Sequence, residues 1–405
     1  MFKKEFSVNT KRNIVLGCLI YFCLTPELNL AIWSYFARGE LGFSQTQAIL
    51  LTWGATIVAI LSEIPTGIFA DRFSRKHAVL IGVCLLFVSR VSWVISGNFW
   101  LIGVAQIVGG LGIAFASGAY DAIIHDSISK DMKGQDRKEV ERTFSKYLGR
   151  KNASYFFARI CLGLFGAWLF TVNRFLPYWG AIIIVMFCGV LAFSLHEEKN
   201  QHHEERKYLK EALSHVAHKT SITQLFLIGF NYLIVGDMIY SQIQPYGTLI
   251  EAGAVTVGIL YATQAFFGAL TSFFFQHINL KIAASKISIY LSIISIISTL
   301  LLLTNSVLAA FVVMAVLGCN GGVMSPMFDN EIMKNAPSRL KATILSISNF
   351  VLHVPAIIAA IVGSMMLDSF GTADTFKFFF MISLLLAPFS IVSYFRFERK
   401  ISVTI

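Results

Sequence analysis

Glu27, Glu63, Asp121, Arg159 and Asp237 are the side chains best placed to do chemistry, because each carries a charge inside an otherwise apolar run. A charge at the centre of a bilayer costs about 3 kcal/mol on insertion scales, so such a group normally faces water or a partner. A carboxylate so placed can bind a proton or a cation, and an arginine can hold an anion. Along a helix Glu63 lies roughly 12 Å from Asp71, near the midplane of a hydrocarbon core about 30 Å thick. It precedes Pro65 and can carry a proton or make a hydrogen bond that packs helices. Glu27 follows Thr25-Pro26. Asp237 stands near Asn231, Tyr240, Gln242 and Gln244, a stripe that reads as a substrate wall. Asp121 and His125 share a helix face at i and i+4, where they can hydrogen-bond, share a proton or only hold the helix end. Arg159 has no acid within a turn and must be compensated from another helix, by Glu63, Asp121 or Glu27. Arg90 and His353 read as a bracing or snorkelling cation and a buried imidazole.

The elements that carry these residues are membrane spans. Of the 405 residues, 56% are hydrophobic and 14% charged, and the mean hydropathy is +0.67. A water-soluble fold does not have that composition. A span needs about 20 mostly apolar residues. Twelve such runs are visible: residues 13–36, 45–70, 77–96, 99–124, 143–172 and 175–193, then 221–248, 255–276, 282–303, 307–332, 342–367 and 376–395. The expected fold is therefore an all-α membrane protein of twelve transmembrane helices in two six-helix halves. The halves are residues 1–195 and 221–405, with a cytoplasmic linker over 196–220.

The net charge of +10 suggests nucleic acid only until its placement is considered. With the N-terminus in the cytoplasm, nearly all Lys and Arg fall on or beside the inner side. Only Arg38, Arg174 and Lys377 lie outside, and Arg90 and Arg159 lie within spans. This asymmetry orients a multi-pass protein of the inner (cytoplasmic) membrane with both termini in the cytoplasm. The basic start at Lys3, Lys4, Lys11 and Arg12 leads into an apolar stretch too long for a signal peptide, so it reads as a retained first span. The linker, HEEKNQHHEERKYLKEALSHVAHKT, reads as a solvated connector with a short amphipathic helix; a metal site at His202 and His203 is the alternative. The six cysteines have no paired spacing and read as small buried hydrophobes. No metal and no cofactor are expected.

The most specific pattern follows the second run: Gly67-Ile-Phe-Ala-Asp71-Arg72-Phe-Ser74-Arg75-Lys76. It resembles the loop between helices two and three of the major facilitator superfamily, Gly-x-x-x-Asp-Arg-x-Gly-Arg-Lys, with Ser74 in the place of Gly. The resemblance implies that Gly67 allows close packing of helix two and that Asp71 meets a helix terminus across the domain interface. It also implies that Arg75 pairs with an acid at the end of helix four, Asp126 or Asp121. Gly67, Asp71, Arg72, Arg75, Lys76 and Asp126 then form a conformational latch. Ser74 puts the loop geometry in question, since Gly tolerates φ > 0 and Ser does not. Other family patterns are weak. Gln106 stands where helix four usually carries Arg, and helix five has Gly163 and Gly166 without the Gly-Pro of drug antiporters.

The function this implies is secondary active transport: proton-coupled export of a small lipophilic or amphipathic compound, bacterial drug-efflux-like, by a monomer in the lipid bilayer. An uptake permease or facilitator for a small metabolite, or a non-transporting sensor, remains open. No phosphate-binding loop, metal-ligand spacing or nucleophile with a base is present, so an enzyme is not expected, and neither is a nucleic-acid partner.

Overall fold

The computed structural model describes residues 6–24, 28–197, 220–277, 284–335 and 341–404. These residues contain thirteen helices and no strand. They are α1 Val8–Leu24, α2 Trp33–Gly39, α3 Gln45–Arg72, α4 Arg75–Ile95, α5 Phe99–Asp131, α6 Arg137–Val172, α7 Leu176–Phe193, α8 Thr220–Leu249, α9 Ala254–His277, α10 Ala284–Leu302, α11 Val307–Asn335, α12 Lys341–Phe370 and α13 Thr372–Thr404. Among them six helices, α3 to α7 and α9, are long and apolar enough by composition alone to cross a membrane.

Eleven of the twelve expected spans coincide with single helices. The first does not. Helix α1 stops at Leu24, residues 28–32 form a turn, and α2 resumes at Trp33. The expected run includes Thr25-Pro26, and a proline's ring disfavours the α conformation of its predecessor. Glu27 lies outside the described residues.

The chain divides into two compact units, Met1–Phe43 with Leu50–His203, and Ser44–Ile49 with Glu204–Ile405. The first unit packs around Ile20, Leu86, Tyr120, Ile124 and Tyr147, all at most 2% exposed. Its tightest helix pair is α4 with α5, and the reason is a pair of glycines. A Cβ on Gly82 would lie 2.6 Å from the Gly112 carbonyl oxygen, and one on Gly112 would lie 2.7 Å from that of Gly82. Small residues let backbones approach where no hydrophobic effect drives helices together.

Helix α7 shows what surrounds this unit. Tyr178, Ile182, Val185 and Cys188 are buried on one face, while Ile183, Phe187, Val190 and Phe193 are more than half exposed on the other. A helix apolar on both faces suits hydrocarbon on its outer side.

In the second unit α9 and α11 approach in the same manner, Gly318 meeting the Gln264 carbonyl and Gly322 that of Gly268. Thr299 and Ser383 hydroxyls meet at 3.2 Å between α10 and α13. Within this unit the Asp368 carboxylate accepts the backbone N–H of Gln45 at 2.9 Å and of Thr46 at 2.8 Å, capping the first turn of α3.

Candidate functional site

The loop joining α3 to α4 is built by Ser74. Its backbone is extended, φ −173° and ψ 130°, a conformation open to any residue. The difficulty expected from a serine in the glycine position does not arise. The hydroxyl caps α4, accepting the His77 N–H at 3.2 Å, and donates to the Glu197 carboxylate. Glu197 also accepts the backbone N–H of Arg75 at 2.6 Å and of Lys76 at 3.3 Å. The start of the linker is thus docked: His196 donates its N–H to Asn13 Oδ1 at 3.0 Å, and Asn13 Nδ2 donates to the His196 carbonyl at 2.8 Å. The linker's remainder, with His202 and His203, lies outside the described residues.

Arg75 joins the two acids of this cluster. Its guanidinium lies 2.9 Å from Asp71, one turn back, and bonds Asp126 at the end of α5. Of the two acids the sequence offers, Asp126 is the partner. His125 Nδ1 approaches Asp126 at 3.7 Å, and its ring meets Phe144 edge-on. Lys76 sits over the Phe193 ring. Arg72 is exposed and makes no ion pair among the described residues. Gly67 differs from expectation: a Cβ there meets nothing within 4 Å among the described residues, so it makes no close helix contact in this structure.

A second cluster lies among α1, α5 and α6. Lys151 Nζ donates to Asp121 Oδ2 at 2.6 Å, and the Tyr147 hydroxyl donates to Oδ1 at 2.8 Å. The ammonium also lies 4.7 Å from the Tyr21 ring centroid and 5.7 Å from that of Tyr120. The sharing of a proton between Asp121 and His125 is therefore not what is found, because both oxygens of Asp121 face α6 partners. Arg159 does not pair with Asp121 either; it lies over the Tyr155 ring at 5.5 Å and is 8% exposed. Tyr155 in turn stands 5.6 Å from Tyr21.

Lys151, Tyr147 and Tyr155 went unread in the sequence, although the signal is there. Tyr147, Lys151, Tyr155 and Arg159 recur every fourth residue, which places them along one face of α6. Glu197 was equally hidden, at the seam between a span and a polar linker.

The remaining candidates stand apart. Glu63 is exposed on α3 and makes no side-chain bond among the described residues. Asp237, half-buried on α8, likewise has none. Gln242 and Gln244 are fully buried and do not form one wall. Gln242 donates to the Ala360 carbonyl at 3.3 Å and accepts from Gln45, while Gln244 donates to the Tyr261 hydroxyl at 3.3 Å. Two residues apart on a helix they point to different neighbours. The side chains of Asn231 and His353 lie outside what is described. Arg90 is buried in α4, and Gln106 is buried in α5 with its Nε2 unpartnered among the described residues. No cluster of ligands that could hold a metal occurs among the described residues.

Residues 14–360 match the Major Facilitator Superfamily. The chain belongs to this family. It is a multi-pass membrane transporter of a small-molecule substrate, a carrier and not an enzyme, built on the twelve-helix major facilitator fold. It is 21% identical over 340 residues to an uncharacterized MFS-type transporter of Bacillus subtilis, covering 79% of this chain and 80% of that one. A second such transporter, of Methanocaldococcus jannaschii, is 20% identical over 371 residues, covering 89% and 91%. Among solved structures, a bacterial homologue of the human lysosomal transporter Spinster superposes with a TM-score of 0.74 at 14% identity, covering 98% of this chain and 99% of that one. A D-xylose–proton symporter superposes with a TM-score of 0.67 at 12% identity, covering 94% and 97%. At these identities the likeness is one of fold.

Proposed function

We propose that this major facilitator exports a small lipophilic or amphipathic compound in exchange for protons, by alternating access, as a monomer in the cytoplasmic membrane. Its termini lie in the cytoplasm, on the Lys and Arg asymmetry of the loops. The observation that carries the reading is Glu63, a carboxylate exposed on the spanning helix α3 with no bond to a described side chain. Such a group either meets water or takes up a proton, and a group that alternates between the two couples transport to a proton gradient. Asp121, Arg159, Asp237 and Glu27 complete the set of candidate proton and substrate groups. The apolar character of the substrate rests on 36 Phe residues and on the small number of charges within the spans.

Asp71, Arg75 and Asp126 serve as the conformational latch, with Gly67, Arg72 and Lys76 flanking Asp71 and Arg75 in the chain. The Arg75 bridge from Asp71 to Asp126 ties α3, α4 and α5 at their inner ends in one state. Reconstitution with a compound panel, with and without an imposed pH gradient, tests the reading. Gradient-dependent accumulation of an apolar compound, lost in Glu63→Gln, is expected. Gradient-independent equilibration of a polar metabolite establishes a facilitator instead.

A further inference from the structure

We propose that the seam between α1 and α6 binds an anionic phospholipid, with the phosphate held by Lys11, Lys146 and Arg150 and an acyl chain laid along Val15, Phe22 and Phe157. Such a site is independent of the direction of transport and of proton coupling.

The two helices are fixed against each other along this seam. The Ser154 hydroxyl donates to the Cys18 carbonyl at 3.2 Å, and one turn on the Phe22 and Phe157 rings meet at 6.4 Å. The contacts advance along both chains together, so α1 and α6 run in the same direction. On α6, Lys146, Arg150, Phe157 and Trp168 share one face, and all four are exposed, Phe157 at 62%. On α1, Lys11, Val15 and Phe22 share a face, with Lys11 and Val15 exposed. Each helix therefore carries an apolar outer stripe that ends in a cation.

The cations stand at one level. At 1.5 Å rise per residue, Lys11 lies about 10 Å before Cys18 and Lys146 about 12 Å before Ser154, with Arg150 about 6 Å before it. A hydrocarbon core takes about 20 residues of helix, which counted back from Val172 reaches Asn152. Lys146 and Arg150 thus fall in the headgroup layer, directly beyond the chains that cover Phe157. Between them and Phe157 the surface is open, because a Cβ on Gly149 would meet nothing within 4 Å and Ala153 is small and exposed. A glycerol backbone fits such a recess.

Neighbouring cations of the first unit are already engaged: Arg75 by Asp71 and Asp126, Lys76 by the Phe193 ring, Lys151 by Asp121. Lys11 and Lys146 make no ion pair among the described residues. The acids at this end of α6, Glu139 and Glu141, lie one to two turns farther out than Lys146. A soluble anion would use only the cations of this seam, and a neutral lipid only its apolar stripe. An anionic phospholipid uses both.

The test uses the full chain in neutral detergent. It is titrated with phosphatidylglycerol and with phosphatidylcholine of the same acyl chains, and bound lipid is counted by native mass spectrometry. Phosphatidylglycerol is expected to bind more tightly. One basic side chain near an anionic headgroup is worth about fivefold, so Lys146→Gln is expected to weaken phosphatidylglycerol about fivefold, and Lys11→Gln with Lys146→Gln about twenty-five-fold. Phosphatidylcholine should be unaffected. Lys133→Gln removes the same charge from the turn before α6 and is expected to change nothing. Equal affinity for the two lipids overturns the proposal. So does an equal loss in Lys133→Gln and Lys146→Gln, which makes the attraction one of diffuse surface charge. Displacement by soluble glycerophosphoglycerol at the lipid's own concentration also overturns it, since the acyl chain then contributes nothing. Phosphatidylglycerol with a photoreactive acyl chain is expected to label wild-type protein near Phe22 or Phe157. Labelling confined to other helices overturns the proposal without any variant, and so decides alone should the substituted proteins not survive purification.

Discussion

Glu197 holds the amide of Arg75 at 2.6 Å, so a residue shortly after α7, which ends at Phe193, closes the loop in front of α4. That loop carries the family's charged pattern, and its geometry depends on a residue the pattern does not include.

Removing this carboxylate is expected to loosen the loop. Glu197→Ala leaves the N–H groups of Arg75 and Lys76 and the Ser74 hydroxyl without their acceptor. A hydrogen bond to a charged group is worth about 1.5–3 kcal/mol, and partial exposure here puts the loss near about 1 kcal/mol. Thermal unfolding of the detergent-solubilised protein measures it. Glu197→Gln should recover part of the loss, since its amide oxygen still accepts.

Ser74 gives a finer test, because it restores the residue the family usually has. Ser74→Ala is expected to cost about 1 kcal/mol through loss of the helix cap, and Ser74→Gly only a few tenths more than nothing from the cap itself. A larger effect of glycine than of alanine would show that the extended backbone at φ −173° needs a side chain to hold it.

Asp71 shares Arg75 with Asp126. Asp71→Asn weakens one arm of the bridge and is expected to shift the balance between inward-facing and outward-facing states, read as altered distance distributions between spin labels. Unchanged distributions remove Asp71 from the latch.

Lys151→Met leaves Asp121 charged and without its cation, whereas Lys151→Met with Asp121→Asn removes both charges. Breaking a buried pair from one side costs about 3 kcal/mol or more, while removing both partners costs far less. The double variant is therefore expected to be the more stable of the two in thermal unfolding. Equal stabilities show that the pair is screened by water.

How much of this was legible in the sequence follows from distance along the chain. The spans are continuous apolar runs, and each is a local property, so eleven of them match single helices. The first does not match, because the apolar run continues through Pro26 whereas α1 ends at Leu24. The Arg75 bridge was open between two acids, and only packing chose Asp126. The i, i+4 pair Asp121 and His125 drew attention because both lie on one helix. The true partner, Lys151, is thirty residues away in the chain on another helix. It was hidden further by its place in α6, which begins at Arg137 and runs 36 residues, so that its basic residues read as loop charges. Gln242 and Gln244 are close in sequence, but positions two apart on a helix do not share a face.

The central claim is that compound and proton move in opposite directions through this protein. Its most direct test is the lumenal pH of proteoliposomes that hold a trapped pH dye, followed when a transported compound is added outside with no gradient imposed. Exchange predicts that the lumen becomes alkaline as the compound enters, and that Glu63→Gln abolishes the change. Entry of the compound with a steady lumenal pH, or with acidification, contradicts it.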